Sequence, residues 1–190
     1  TLQIWKIRRD GSDLQQLTDS MPNIGLLAWS PDGERIAARR GLNKDNQTVV
    51  FDPNSAWSEQ EPEVLPLIED GGPQMVVTSW SPDGTMLAGQ AGFPGVGVVV
   101  YSFDSGSYER LTDFGEWPAW LPDSRRLVFV YEGKKFFVVD RQTKETREIF
   151  SVPRDVIGPP RISGDGTQVV FSRRVTEADI WLLTFGEDSM

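Results

Sequence analysis

The sequence predicts an all-β protein built of β-propeller blades, each made of four antiparallel strands. Three observations carry that prediction. A hairpin motif recurs four times, its spacing matches the length of one blade, and no stretch shows the 3.6-residue apolar period of an amphipathic helix.

The motif reads Trp29-Ser30-Pro31-Asp32-Gly33, Trp80-Ser81-Pro82-Asp83-Gly84, Trp120-Leu121-Pro122-Asp123-Ser124 and, degenerate, Ile162-Ser163-Gly164-Asp165-Gly166. Its copies start at residues 29, 80, 120 and 162, which are 51, 40 and 42 residues apart, within the roughly 40–50 residues of a four-stranded blade. The long first interval holds an acidic insertion, Ser58-Glu59-Gln60-Glu61-Pro62-Glu63. Pro presets φ for a turn, Asp hydrogen-bonds nearby backbone, and Gly or Ser relieves the exit. An aromatic or aliphatic residue precedes each turn and an alternating apolar segment follows it, which describes a hairpin.

The remaining strands follow in order. With the blade strands labelled A to D, each hairpin supplies A and B. Third strands are Val98–Tyr101, Phe136–Val139 and Ile180–Leu183, and a fourth is Tyr108–Thr112. The N-terminal segment repeats this second half, with Ile4–Ile7 as C and Leu14–Thr18 as D. The chain reads C-D, three times A-B-C-D, then A-B-C. This predicts a half blade at 1–19 and blades at 20–70, 71–113, 114–151 and 152–188, about four and a half in all. Stacking blades around an axis buries both faces of each sheet. Because both ends present a C strand, the inventory predicts an arc of a larger ring, truncated at its N-terminal side. Such an arc either self-associates or takes its missing blades from another chain.

Composition bounds the chemistry. A chain of 190 residues that is 38% hydrophobic, with seven Trp and ten Phe, can build a substantial core. There is no Cys, which removes disulfides, thiolate metal sites and a Cys nucleophile. There is no His, which removes the usual general base near neutral pH and the commonest transition-metal ligand. No Gly-x-Ser-x-Gly nucleophile elbow occurs, so no intrinsic catalysis, cofactor or metal is expected. A net charge of −9 repels a phosphate backbone, so nucleic acid is not the expected partner. No apolar run is long enough for membrane insertion as a helix.

The Trp-Ser-Pro-Asp-Gly hairpins, the Asp179-Ile180-Trp181-Leu182-Leu183 strand and the Arg110-Leu111-Thr112 ending resemble the TolB-type, WD-like β-propeller repeat of bacteria. The resemblance covers almost the whole chain and implies a propeller. It does not imply one function, because such repeats occur in envelope proteins, in sensor regions of bacterial kinases and transcription regulators, and in oligopeptidases. It tilts the expected location towards the periplasm or another extracytoplasmic site.

Candidate functional residues follow from departures from the repeat. Asp32, Asp83, Asp123 and Asp165 recur in every blade and are expected to cap their own turns. Trp29, Trp80 and Trp120 are expected to pack between blades. Loops carry function on rigid scaffolds, and in a propeller the D–A and B–C loops share one face. The D–A loops offer Met21, Asn23, Gln74, Phe114, Glu116, Trp117, Arg154 and Asp155. The B–C loops offer Arg39, Arg40, Asn43, Lys44, Phe93, Tyr131, Lys134, Lys135, Arg173 and Arg174. Trp117 stands out, because Leu26, Val77 and Pro159 hold its position in the other blades and Trp and Arg are frequent interface anchors. Basic residues on an acidic protein suit an acidic peptide or carboxylate. The leading expectation is a non-catalytic protein- or peptide-binding scaffold, a sensor or assembly module of a longer bacterial protein. The alternatives are the gating propeller of an oligopeptidase-type hydrolase and a carboxylate-based glycosidase.

Overall fold

The computed structural model describes residues 2–19, 23–41, 46–69, 72–92 and 96–175. Within them the chain is strand and loop, with a single 3₁₀ turn at Trp57–Glu59. The strands are β1 (Trp5–Lys6), β2 (Gln15–Gln16), β3 (Ile24–Trp29), β4 (Ile36–Arg40), β5 (Gln47–Phe51), β6 (Glu63–Val64), β7 (Met75–Trp80), β8 (Met86–Ala91) and β9 (Val98–Ser102). They continue as β10 (Ser107–Arg110), β11 (Glu116–Trp120), β12 (Arg126–Tyr131), β13 (Lys135–Asp140), β14 (Thr146–Ser151), β15 (Val156–Ile157), β16 (Arg161–Ile162), β17 (Val169–Val170) and β18 (Arg173–Arg174).

Three complete antiparallel meanders run β3-β4-β5-β6, β7-β8-β9-β10 and β11-β12-β13-β14, while β1 pairs with β2 alone. The fourth hairpin is split: β15 pairs with β18 and β16 with β17. Pro159 and Pro160 interrupt its inner strand, because proline has no N–H to give to the ladder. The third strand expected at Ile180–Leu183 lies outside the described residues. The acidic insertion falls between β5 and β6, where Trp57 packs edge-on against Phe51 with ring centroids 5.2 Å apart.

Turn chemistry explains the repeat. Ser81 Oγ accepts the Met86 N–H at 2.9 Å and donates to Asp83 Oδ1 at 2.6 Å, and Asp83 Oδ1 accepts the Thr85 N–H at 3.0 Å. Ser30 with Asp32 and Ser163 with Asp165 repeat this pattern. The third copy has Leu121 in place of Ser, and Asp123 accepts the Arg125 and Arg126 N–H groups itself at 3.0 and 2.9 Å. Every copy turns through a left-handed residue, Ser124 taking the glycine's role at φ 52°. The Leu-Thr ending has its own logic. Leu17 and Leu111 are buried, and the hydroxyls of Thr18 and Thr112 accept the N–H groups of Ile4 and Val98 at 2.9 and 3.0 Å.

Alternation along the middle strands serves two interfaces at once. Leu87 faces back to join Ala28, Ala37 and Val50 of the preceding sheet, while Met86 and Ala88 face forward to Trp120, Leu127 and Phe129. Ile4 and Leu17 pack on Ile24, Ile36 and Val49, and Val128, Val130 and Phe136 pack on Val152 and Ile157. Strands β3, β7 and β11 lie side by side, with β16 next to β11, as the inner strands of successive blades.

The repeated tryptophans differ in burial. Trp80 and Trp120 are 7% and 5% exposed, but Trp29 is 46% exposed. Trp80 stacks on Phe103 at 5.3 Å, donates its indole N–H to the Gly84 carbonyl at 3.1 Å, and carries the Arg35 guanidinium 5.0 Å from its ring centroid. Trp29 faces the two-stranded β1–β2 sheet, which covers less of it than a complete blade covers the other two.

Candidate functional site

Each complete inner strand carries one extra residue against its neighbour, between Gly25 and Leu27, Val77 and Ser79, and Glu116 and Ala119. Such bulges re-aim side chains near the end of a strand. Leu26 and Trp117 sit there with φ 48° and 55°, a left-handed conformation that costs a bulky L-residue about 1–2 kcal/mol. Buried Gln90 supports the second of them. Its Oε1 accepts the Trp117 N–H at 3.2 Å, while its Nε2 donates to the Gly92 carbonyl at 3.2 Å. The indole of Trp117 is half-buried and packs on the Val128, Val130, Val152 and Ile157 cluster, where the third sheet meets the fourth hairpin.

This seam gathers several of the candidates. The Ile157 N–H bonds the Gly133 carbonyl at 2.7 Å, and the Val152 N–H bonds that of Lys134 at 2.9 Å. Val156 and Ile157 pair in turn with Arg174 and Arg173. The tight turn after Tyr131, the chain at 152–157 and the two arginines are thereby brought side by side. Arg173 is committed to Asp155, with its Nε at 2.6 Å, and Lys135 to Glu148 at 2.8 Å. Lys134, Arg154 and Arg174 are exposed and make no ion pair among the described residues. Burial raises the carboxyl pKa of half-buried Glu116, with a bond from Trp117 acting against it. The neighbouring Glu132 charge raises the phenol pKa of Tyr131.

Other candidates lie elsewhere or are engaged in packing. Phe114 is held edge-on against Phe129, Tyr131 and Phe137 at 5.5, 5.1 and 5.3 Å. Arg39 and Arg40 are half-buried in the first meander, where Arg40 Nε donates to Gln47 Oε1 at 3.1 Å. Asn23 holds a left-handed φ of 53° and accepts the Gly41 N–H at 3.0 Å, and Gln74 accepts the Gly92 N–H at 3.0 Å. Met21, Asn43, Lys44 and Phe93 lie outside the described residues. Among the described residues, no three carboxylates converge as a metal-binding group. Sequence reasoning missed Gln90. Its signal was a polar residue inside the otherwise apolar, fully buried strand Met86–Ala91.

No family model matches the chain, and no curated protein matches it by sequence. Solved structures do match. TolB from Acinetobacter baumannii aligns over 88% of this chain and 42% of its own, at 18% identity and a TM-score of 0.68. A structure described as TolB from Agrobacterium tumefaciens aligns over 85% of this chain and 61% of its own, at 15% identity and a TM-score of 0.61. An oligogalacturonate lyase in complex with manganese aligns over 66% of this chain and 36% of its own, at 18% identity and a TM-score of 0.50. The chain thus spans between two fifths and three fifths of the length of the TolB structures it matches. At these identities the likeness is one of fold, and what it establishes is that the chain folds as blades of a TolB-type β-propeller.

Proposed function

We propose that this chain is a non-catalytic platform for a protein or peptide partner, engaged at the seam between the third meander and the fourth hairpin. The observation that carries the reading is the local arrangement at Trp117. A large aromatic is held in a strained left-handed backbone whose N–H is bonded by a buried glutamine 27 residues earlier. Strain of this kind persists where surrounding structure over-determines it, and it concentrates at binding sites. Lys134 and Arg174 stand exposed at the same seam of a protein whose net charge is −9. That contrast attracts an acidic segment and sets its orientation. The ligand that fits is an extended acidic peptide with an apolar side chain to lay against Trp117. A sensor or assembly module of a longer, extracytoplasmic bacterial protein would use such a face.

The test is affinity capture from a lysate of the source cells, with bound proteins identified by mass spectrometry. Wild type is compared with Trp117→Ala and with the double variant Lys134→Glu/Arg174→Glu. Both variants should retain the β-sheet circular dichroism and lose the captured partner, the double variant by about tenfold or more. An unchanged set of captured proteins in both variants would overturn the proposal.

A further inference from the structure

The opposite face holds a second feature that the peptide reading does not use. At the motif-turn end of the inner strands lies a cavity of about 260 Å³, to which all four hairpins contribute. Trp29, Trp80 and Trp120 form its aromatic wall, Thr78 and Ser79 its polar side, and Arg161 the one charged group among the described residues that line it. No Asp or Glu among the described residues lines it, in a protein where acidic residues outnumber basic ones by 28 to 19.

Arg161 breaks the repeat. The residue before the motif's first position is Ala28, Ser79 and Ala119 in the other three copies. A long cation therefore stands where the scaffold takes a small side chain. The residue is exposed, and its guanidinium makes no hydrogen bond or ion pair among the described residues. The hydroxyls of Thr78 and Ser79 both donate to the Pro118 carbonyl, at 2.6 and 3.0 Å. What they retain towards the cavity is acceptor capacity.

We infer that this cavity is a binding site for a small aromatic carboxylate. Arg161 takes the carboxylate through its planar fork, which matches that group bidentately. The flat ring lies against the tryptophan wall, and a donor on the ring meets the hydroxyl oxygens of Thr78 and Ser79. One bicyclic ring bearing a carboxylate fills a cavity of this size.

Indole-3-carboxylate is the probe, with indole-3-carboxamide as its neutral counterpart. The readout is the set of indole N–H resonances of the ¹⁵N-labelled chain, assigned by single Trp→Phe variants. The acid should shift the Trp80 and Trp120 signals with a Kd of about 1 mM or tighter. The amide should bind about tenfold more weakly, and Arg161→Met should weaken the acid by about tenfold or more without altering the other signals. Arg161→Lys, which keeps the charge and loses the fork, should fall between them. Absence of shifts at about 10 mM acid, equal binding of acid and amide, or unchanged affinity in Arg161→Met would each overturn the inference. So would displacement of the acid by a peptide with an amidated C-terminus, since that would make the cavity part of a peptide groove. None of these results bears on the seam at Trp117, which lies on the other face.

Discussion

Replacing each repeated tryptophan by alanine should give three different costs at one and the same repeat position. Trp80→Ala removes the stack on Phe103, the Arg35 contact and the bond to Gly84 from a side chain that is 7% exposed. Large-to-small changes of buried aromatics cost about 3–5 kcal/mol, and this site sits near 4. Trp120→Ala empties a similar volume but breaks no indole hydrogen bond, so about 3–4 kcal/mol is expected. Trp29 is 46% exposed, so roughly half the transfer term is absent and solvent can fill the space, giving about 1–2 kcal/mol. Equilibrium urea unfolding, followed by tryptophan fluorescence and by circular dichroism, measures all three. The slope m should stay constant while the midpoint falls in the order Trp29, Trp120, Trp80, with Trp80 lowest. Three variants that agree within about 0.5 kcal/mol would refute the idea that the neighbouring sheet sets the contribution of this position.

Two further outcomes are expected. Gly97→Ala should cost about 2–5 kcal/mol in the same assay, because Gly97 holds a φ of 87° and a Cβ there would press on the Thr112 carbonyl. The Gly11→Ala control also has a positive φ, of 85°, but open space around it, and should lose only the smaller backbone part. Acid should destabilise the protein over a defined window. A bond from Ser163 leads in lowering Asp165 to about 2. Burial acts to raise Asp83, but bonds from Ser81 and Thr85 outweigh it and leave its pKa lowered. Carboxyls depressed on folding stabilise above their unfolded value near 3.8 and lose that contribution as pH falls through the folded value. The thermal midpoint should therefore be flat from about pH 7 to 5 and fall below about pH 4, and Asp83→Asn should flatten that fall.

The fold was legible because its signals are local. Ser30, Asp32 and Gly33 close a turn among themselves, and any copy of the motif announces the same hairpin. Leu111 and Thr112 read as a strand end for a similar reason, with the Thr hydroxyl returning only to Val98. What the sequence hides lies between residues far apart along the chain. Nothing near Trp117 announces that Gln90 holds its N–H, nor that β11 gains a residue over β12 at that point. The seam itself depends on Gly133 accepting from Ile157, a contact between neighbouring blades. Arg161 was legible in principle, as the one residue out of pattern before a motif copy. Its meaning needed the cavity, which requires four inner strands to be set side by side.

Each apolar cluster joins two blades that are consecutive in sequence. Cohesion is therefore transmitted link by link, as in a row of coins, and local opening has a direction. The sheets β3–β6, β7–β10 and β11–β14 are gripped on both faces, while β1–β2 contributes only Ile4 and Leu17 to the buried apolar clusters among the described residues. Amide hydrogen exchange should then run slowest at Leu87, Val99 and Leu127 and quicken outward. The peptide seam belongs to the last link, between the third meander and the fourth hairpin, and the Arg161 cavity touches all four hairpins. A partner gripping the seam would tighten one link, whereas a ligand in the cavity would tie every blade to its neighbours and slow exchange throughout the stack.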